Sequence, residues 1–249
     1  MSLKHSFYRH GRRLIEIHTK NKEAMSKKIM FNDKFCLTQA VLDGTKTMTR
    51  RIEKFEPSAR LYDKVYNIEG GMNDKGQWIF TLFNKYGEII GDIIPRYNVG
   101  EVVAIAQSYK AIYDEMETNF GNAKANAWWS DAYDVLRIPA RENMGYNNKM
   151  FTRADLMIHH IKITNVRLER LRSIPDDDIM REGIYVSKPA PYNRKMDGYS
   201  YDASKDRTKK KWWYSTPREA YAALIDKISG KGTWLRNPWV VVYEFEKVD

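Results

Sequence analysis

The spacing of apolar positions predicts several short helices. Residues 32–44 (NDKFCLTQAVLDG) carry a helical apolar face and end at Gly44, which suits a left-handed C-cap. Residues 216–232 (TPREAYAALIDKISGKG) predict a second helix, because Thr216 can cap its start and Pro217 favours the first helical position. Two more helices are expected at 122–136 and 174–183.

Runs of β-branched and aromatic residues predict strands between these helices. The expected strands are 46–52, 64–69, 77–83, 101–109, 155–171 and 237–248. Adjacent side chains on a strand point to opposite faces, so Arg50 is expected on the surface, opposite Thr49 and Arg51. For the same reason His159 and His160 are not expected to bind one metal ion together, and no metal site is predicted.

The stretches 110–152 and 186–216 show weaker patterns of apolar spacing than the rest of the chain. No segment reads as a clear linker between domains. We therefore predict an α+β protein with a basic appendage at residues 1–24 and one domain at 25–249. Loop insertions are expected near 110–152 and 186–216. The second of these stretches is basic and aromatic.

Composition favours a polyanionic partner. The net charge is +10 and the aromatic share is 13%. Lysine and arginine displace counterions from phosphate, so nucleic acid is the favoured partner class. The single cysteine, Cys36, excludes an internal disulfide and a cysteine-cluster zinc site. No apolar run reaches membrane-spanning length, and we expect a cytoplasmic protein without a cofactor.

Four segments resemble, in matching order, the motifs of ASCH domains, especially those of long phage and prophage members. The first contains the pattern G-x-K-T-x-T-x-R, running from Gly44 to Arg51. The four segments are 37–51, 97–109, 163–184 and 216–248. The resemblance implies a PUA-like fold, which is a small curved β-barrel flanked by helices. It also implies RNA or a nucleotide as the ligand.

The resemblance also implies a set of site residues. Some ASCH members hydrolyse acetylated cytidine with a lysine, a threonine and a glutamate, which match Lys46, Thr49 and Glu182. A buried lysine can act as the base that activates a hydroxyl nucleophile, and a carboxyl group can exchange a proton. Arg51 matches the arginine of the motif and can hold phosphate. Many phage members carry Arg-Glu where this chain has Ala106-Gln107. Gln107 is therefore expected to bind nucleic acid through hydrogen bonds, but it lacks the carboxylate.

A second candidate site lies in the basic segment KDRTKKKWWY, residues 205–214. Its cations can contact phosphates while its tryptophans stack on bases, although the alternative is a solvated loop whose tryptophans pack on the core. The candidate residues are Lys209, Lys210, Lys211, Trp212 and Trp213. The carboxylates Asp176–Asp178 are explained by the dipole at a helix N-terminus.

Three functions are consistent with these patterns. The leading hypothesis is an RNA- or nucleotide-binding ASCH protein with a basic cleft. The second is an enzyme using the same cleft, either an amidohydrolase acting on N4-acetylcytidine-type bases or a ribonuclease. The third is a protein-interaction module.

Overall fold

The computed structural model describes residues 27–52, 64–187, 198–201 and 213–248. The predicted appendage at residues 1–24 lies outside these ranges. The strands are β1 (Lys28–Ile29), β2 (Met48–Arg51), β3 (Asn67–Met72), β4 (Trp78–Phe83), β5 (Ile89–Ile93), β6 (Val102–Ile105), β7 (His160–Arg170), β8 (Tyr185–Ser187), β9 (Gly198–Ser200) and β10 (Trp239–Lys247).

Six α-helices lie in the same part of the chain. They are α1 (Leu37–Leu42), α2 (Tyr109–Phe120), α3 (Asn122–Leu136), α4 (Asp176–Arg181), α5 (Pro217–Ile228) and α6 (Thr233–Arg236). Single 3₁₀ turns cover Asp33–Phe35, Ala140–Glu142, Met144–Tyr146, Lys149–Phe151, Ala154–Leu156 and Leu171–Ser173. None of the described helices is long and apolar enough to cross a membrane.

Local signals placed most of these elements correctly. In α5, the Thr216 hydroxyl accepts a hydrogen bond from the Glu219 amide at 3.1 Å, as the capping pattern predicts. Gly44 follows α1 with a φ of 73°, in the left-handed region expected of it. The strand predicted at 155–171 begins later, at His160, because a 3₁₀ turn occupies Ala154–Leu156.

The prediction of an irregular segment at 110–152 is wrong for its first part. Helix α2 begins at Tyr109, a residue that the sequence placed in a strand, and Ser108 caps it through a bond to the Ala111 amide. The predicted strand therefore ends at Ile105. The segment at 186–216 also contains regular structure, since β8 and β9 pair in antiparallel register.

The chain divides into two compact units. The first contains the described residues of 1–31 and 102–161, and the second contains those of 32–101 and 162–248. This division does not test the prediction of one domain with insertions, which stays a prediction.

The first unit is built on helices α2 and α3. Its buried cluster joins Tyr109 and Ile112 of α2 to Trp128 and Ala132 of α3. Strands β1 and β6 pair in parallel within this unit. The Lys28 ammonium donates to the carbonyl oxygens of residues 149, 150 and 152, which holds β1 on the 3₁₀ turns.

The second unit contains the antiparallel pair β2–β10, with β7 on the other side of β10. Strands β3, β4 and β5 form a separate antiparallel sheet. Helix α4 packs against α5. The mix of helices and strands agrees with the predicted α+β class, but among the described strands no sheet closes into a barrel.

Candidate functional site

The candidate site lies at the outer edge of β2, which is an end strand of its sheet. The backbone N–H of Lys46 donates to Ala40 at the end of α1, which delivers the lysine to this edge. The ammonium group of Lys46 is buried and has three acceptors at 2.7 Å. These are the carbonyl oxygens of Met48 and Glu182 and the Oε2 atom of Glu182.

Glu182 reaches Lys46 because α4 ends beside β2. The Glu182 amide donates to the carbonyl oxygens of Asp178 and Ile179, which makes it the C-cap residue of α4. Gly183 follows with a φ of 99°, and a Cβ on it would lie 3.1 Å from the Leu37 side chain and 3.5 Å from that of Lys46. Glycine thus permits both the turn and the close approach. Lys46 in turn satisfies a carbonyl oxygen left open at a helix end.

Arg50 is the main correction to the sequence analysis. It was expected on the surface, but its side chain is fully buried. Its guanidinium donates to Glu169 at 2.7 Å and to Asp178 and Glu182 at 3.0 Å. Its Nη1 atom also lies 3.0 Å from the sulfur of Met48, so these two side chains share one face of β2. That face is covered by carboxylates, which the alternation of side chains along the strand does not reveal.

Arg50 belongs to a wider charge network, which joins β2, β7, β10 and α4. We call it the buried network after its buried members Lys46, Arg50 and Glu182. Arg167 of β7 pairs with Glu169, Asp178 and Glu244, and Arg181 of α4 pairs with Asp178 and Glu244. The eight members are Lys46, Arg50, Arg167, Arg181, Glu169, Asp178, Glu182 and Glu244. Four cations and four anions balance, as burial requires. The helix dipole therefore does not suffice to explain Asp178.

Burial and the neighbouring charges oppose each other in this network. Burial lowers the pKa of Lys46 although Glu182 raises it, and the charges of Arg51 and Arg50 lower that pKa further. Burial alone would also lower the pKa of Arg50, but the neighbouring carboxylates outweigh it and raise the pKa. Tyr221 of α5 is influenced by the same charges. Burial and then the Glu182 charge raise the pKa of its phenol well above the usual value.

The structure brings together two residues of the predicted trio. Thr49 projects from the face of β2 opposite Met48 and Arg50, as does Arg51. Thr49 is buried, and within the described ranges its hydroxyl donates no hydrogen bond to Lys46 or Glu182. Lys46 and Glu182 are thus in direct contact, whereas the threonine stands apart from both.

Gln107 lies in the first unit, and its side chain bonds to a residue of that unit. Its Nε2 atom donates to Glu115 at 2.9 Å, and the other oxygen of Glu115 lies 2.6 Å from His159 Nε2. Across the described part of the chain, no group of three or more histidine, cysteine or acidic side chains is arranged to hold a metal ion.

Of the basic segment, only its end is described. Lys209, Lys210, Lys211 and Trp212 lie outside the described residues. Trp213 is 37% exposed, and its indole occupies the space that a side chain at Gly198 would need. Tyr214 pairs with Tyr199 through two backbone hydrogen bonds of 2.9 Å. The stacking role of Trp213 stays a prediction.

Sequence reasoning selected only Lys46 and Glu182 of the network and missed its other members, among them Arg50 and Asp178, as well as the neighbouring Tyr221. One signal pointed to Asp178, because it precedes Glu182 by four residues and so shares a helix face with it. No such local signal exists for Tyr221, since α5 follows α4 only after a long stretch of chain.

Comparisons with known proteins give no identification. No family model, no curated protein and no solved structure significantly matches this chain. The resemblance to ASCH domains therefore depends on the motifs of the sequence and stays a prediction.

The buried contact between Lys46 and Glu182 makes their substitutions non-additive. We expect Lys46→Met alone to lower the free energy of unfolding by about 3 kcal/mol, because it leaves a buried carboxylate short of one partner. Adding Glu182→Gln should cost less than the sum, with a coupling energy of about 1–3 kcal/mol. Urea unfolding of the wild type, the two single variants and the double variant measures this coupling energy.

The exposed pair Lys110–Asp114 is the control and should show no measurable coupling. Additive costs at Lys46 and Glu182 would contradict the geometry.

Glu244 gives the network a pH dependence. Burial is the largest influence and would raise its pKa, but hydrogen bonds from Arg181 and Asn165 and the charges of Arg181 and Arg167 together lower the pKa below 4.5. A carboxyl group whose pKa is lower in the folded state stabilises the fold above its unfolded pKa. This contribution disappears as the pH falls through the folded value.

Glu244→Gln should therefore destabilise the protein more at about pH 7 than at about pH 4. Urea unfolding at the two pH values measures the difference between wild type and variant. Glu246→Gln, on the same strand but exposed, is the control and should have a small effect at both. A Glu244→Gln effect that grows as the pH falls would refute the assignment.

Proposed function

We propose that this protein is an ASCH-type, PUA-like protein that binds RNA or a nucleotide beside the outer edge of β2. The observation that carries the proposal is the contact between Lys46 and Glu182. These residues are 136 positions apart in sequence, and both match positions of the ASCH motif pattern.

The geometry supports a structural role for some residues of this site and a ligand-binding role for another. Lys46 and Glu182 are too deeply buried to bind a phosphate, so they fix the end of α4 against β2. Arg51 is only half-buried and belongs to the same motif. We assign it the contact with the ligand, because a guanidinium matches the geometry of phosphate oxygens. The net charge of +10 favours the same partner class.

Binding of a labelled single-stranded RNA, measured by fluorescence anisotropy across a salt series, tests the proposal. We expect the affinity to fall steeply with salt, because counterions are released from the strand. Arg51→Gln should weaken binding and make the slope of log K against log salt shallower by about 0.7, the value for one phosphate contact.

The control variant is Lys162→Gln, which removes one exposed charge from β7 and should leave binding unchanged. Absent or salt-independent binding by the wild-type protein would refute the proposed function.

Amide hydrolysis is the second candidate, favoured by the lowered pKa of Lys46 beside a carboxylate. In this reaction the Thr49 hydroxyl would attack the acetyl carbonyl of N4-acetylcytidine, release cytidine, and lose the acetyl group to water as acetate. It ranks second because the Thr49 hydroxyl makes no hydrogen bond to Lys46 in the described structure.

If the hydrolase assignment is correct, the wild-type protein releases cytidine from N4-acetylcytidine and Thr49→Val does not. Thr49→Ser should keep part of the activity, because it retains a hydroxyl at the same position. Chromatography of the nucleosides measures the release. Wild-type release no greater than that of Lys46→Met would exclude the reaction.

A further inference from the structure

Four arginines lie on the segments that meet at the end of β7 in the second unit. The backbone N–H of Leu171 donates to the carbonyl of Pro238 at 2.9 Å, and the Arg172 amide donates to the side chain of Asn237 at 2.7 Å. Arg170 Nη1 donates to the Asn237 carbonyl at 3.2 Å. These contacts place residues 170–172 beside the segment that follows α6.

Two further arginines join the cluster from α5 and α6. Arg218 donates to the carbonyl of Arg172 at 3.1 Å and to that of Ile174 at 2.6 Å. Arg236 is included because it directly precedes Asn237. Its own guanidinium donates to the Thr233 hydroxyl at 2.8 Å and to the Lys231 carbonyl at 3.2 Å. We call this set, Arg170, Arg172, Arg218 and Arg236, the arginine patch.

The patch differs from the buried network in its charge balance. Asp176 pairs with Arg218 at 3.2 Å, and Asp226 interacts electrostatically with Arg236. Arg172 and Arg236 are exposed, and neither forms an ion pair with a residue that the structure describes. The exposed guanidinium groups of Arg172 and Arg236 thus place positive charge at the surface.

One aromatic ring belongs to the same surface. The Arg170 guanidinium lies 4.5 Å from the centre of the half-buried Trp239 ring, in cation–π contact. This contact fixes the direction of the Arg170 side chain. The patch is therefore preorganised, since three of its four arginines are held by contacts of the folded chain.

We propose that the arginine patch binds the sugar–phosphate backbone of an RNA strand, so that the natural partner is a polynucleotide and not a free nucleotide. The inference rests on the proposed function and extends it to a second surface. Several guanidinium groups spread over one surface match a chain of phosphates, whereas a mononucleotide offers phosphate at one point.

An anionic membrane is the competing polyanion, and the surface fits it less well. Membrane-surface binding uses a broad apolar face next to the cations. Leu235 is 78% exposed here, but its neighbour Trp234 packs edge-on against Tyr221 at 6.0 Å. A single exposed leucine does not make such a face, so RNA is the partner that the patch favours.

The double variant Arg172→Ala/Arg236→Ala tests the inference, because both side chains are exposed. Anisotropy with a short single-stranded RNA should show binding about tenfold weaker, with a salt slope shallower by about 1.4 for two lost phosphate contacts. The control Lys75→Ala/Lys85→Ala removes the same charge from exposed turns of the β3–β4–β5 sheet and should bind as wild type does. Arg172→Lys/Arg236→Lys should keep most of the affinity, which separates loss of charge from loss of folding.

The outcomes separate this inference from the proposed function. If the wild type binds RNA and the alanine double variant binds equally well, the patch is refuted and the proposed function stands. If the wild type binds no RNA, the proposed function fails and the patch inference fails with it. If the double variant loses binding to phosphatidylserine vesicles but keeps RNA binding, the surface is a membrane site and the inference is wrong.

Discussion

The ion pairs of Arg50 are the constraint on which the second unit depends. A buried guanidinium is costly unless carboxylates surround it with good geometry. Arg50 meets this requirement only when β2 lies beside Glu169 of β7 and beside Asp178 and Glu182 of α4. The positions of these elements are thus tied to one side chain, and the end of α4 cannot leave β2 without exposing or stranding several charges.

This constraint limits what Lys46 can do chemically. Its ammonium group holds two carbonyl oxygens and one carboxylate oxygen, so its charge is part of the structure. Burial favours the neutral amine, but Glu182 favours the ammonium, and the two influences oppose each other. If Lys46 gave up its proton for catalysis, its contact with Glu182 would weaken, and this contact holds the end of α4 against β2. Binding makes no such demand, because the ion pair stays intact throughout, and this asymmetry ranks binding above turnover.

The limits of sequence reasoning follow from the range of each signal. The capped helix α5 was predictable, because Thr216, Pro217 and Glu219 act on neighbouring backbone. The Lys46–Glu182 contact was accessible only through a motif, since 136 residues separate the pair. Arg50 was misplaced for a different reason. Alternation along β2 distinguishes two faces, but it does not say which face other elements cover, and the covering carboxylates lie far away in the chain.

The arginines of the buried network and those of the arginine patch differ in what their positive charges do. The arginines of the buried network are matched by carboxylates, and the side chain of Arg50 is fully buried, so dissolved ions screen its ion pairs little. The excess charge of the chain must therefore lie outside the network, where Arg172 and Arg236 are exposed. Salt weakens attraction at such surface cations strongly. Under the proposed function, added salt should consequently reduce binding to RNA at concentrations that leave the fold intact, because binding and stability would depend on different side chains.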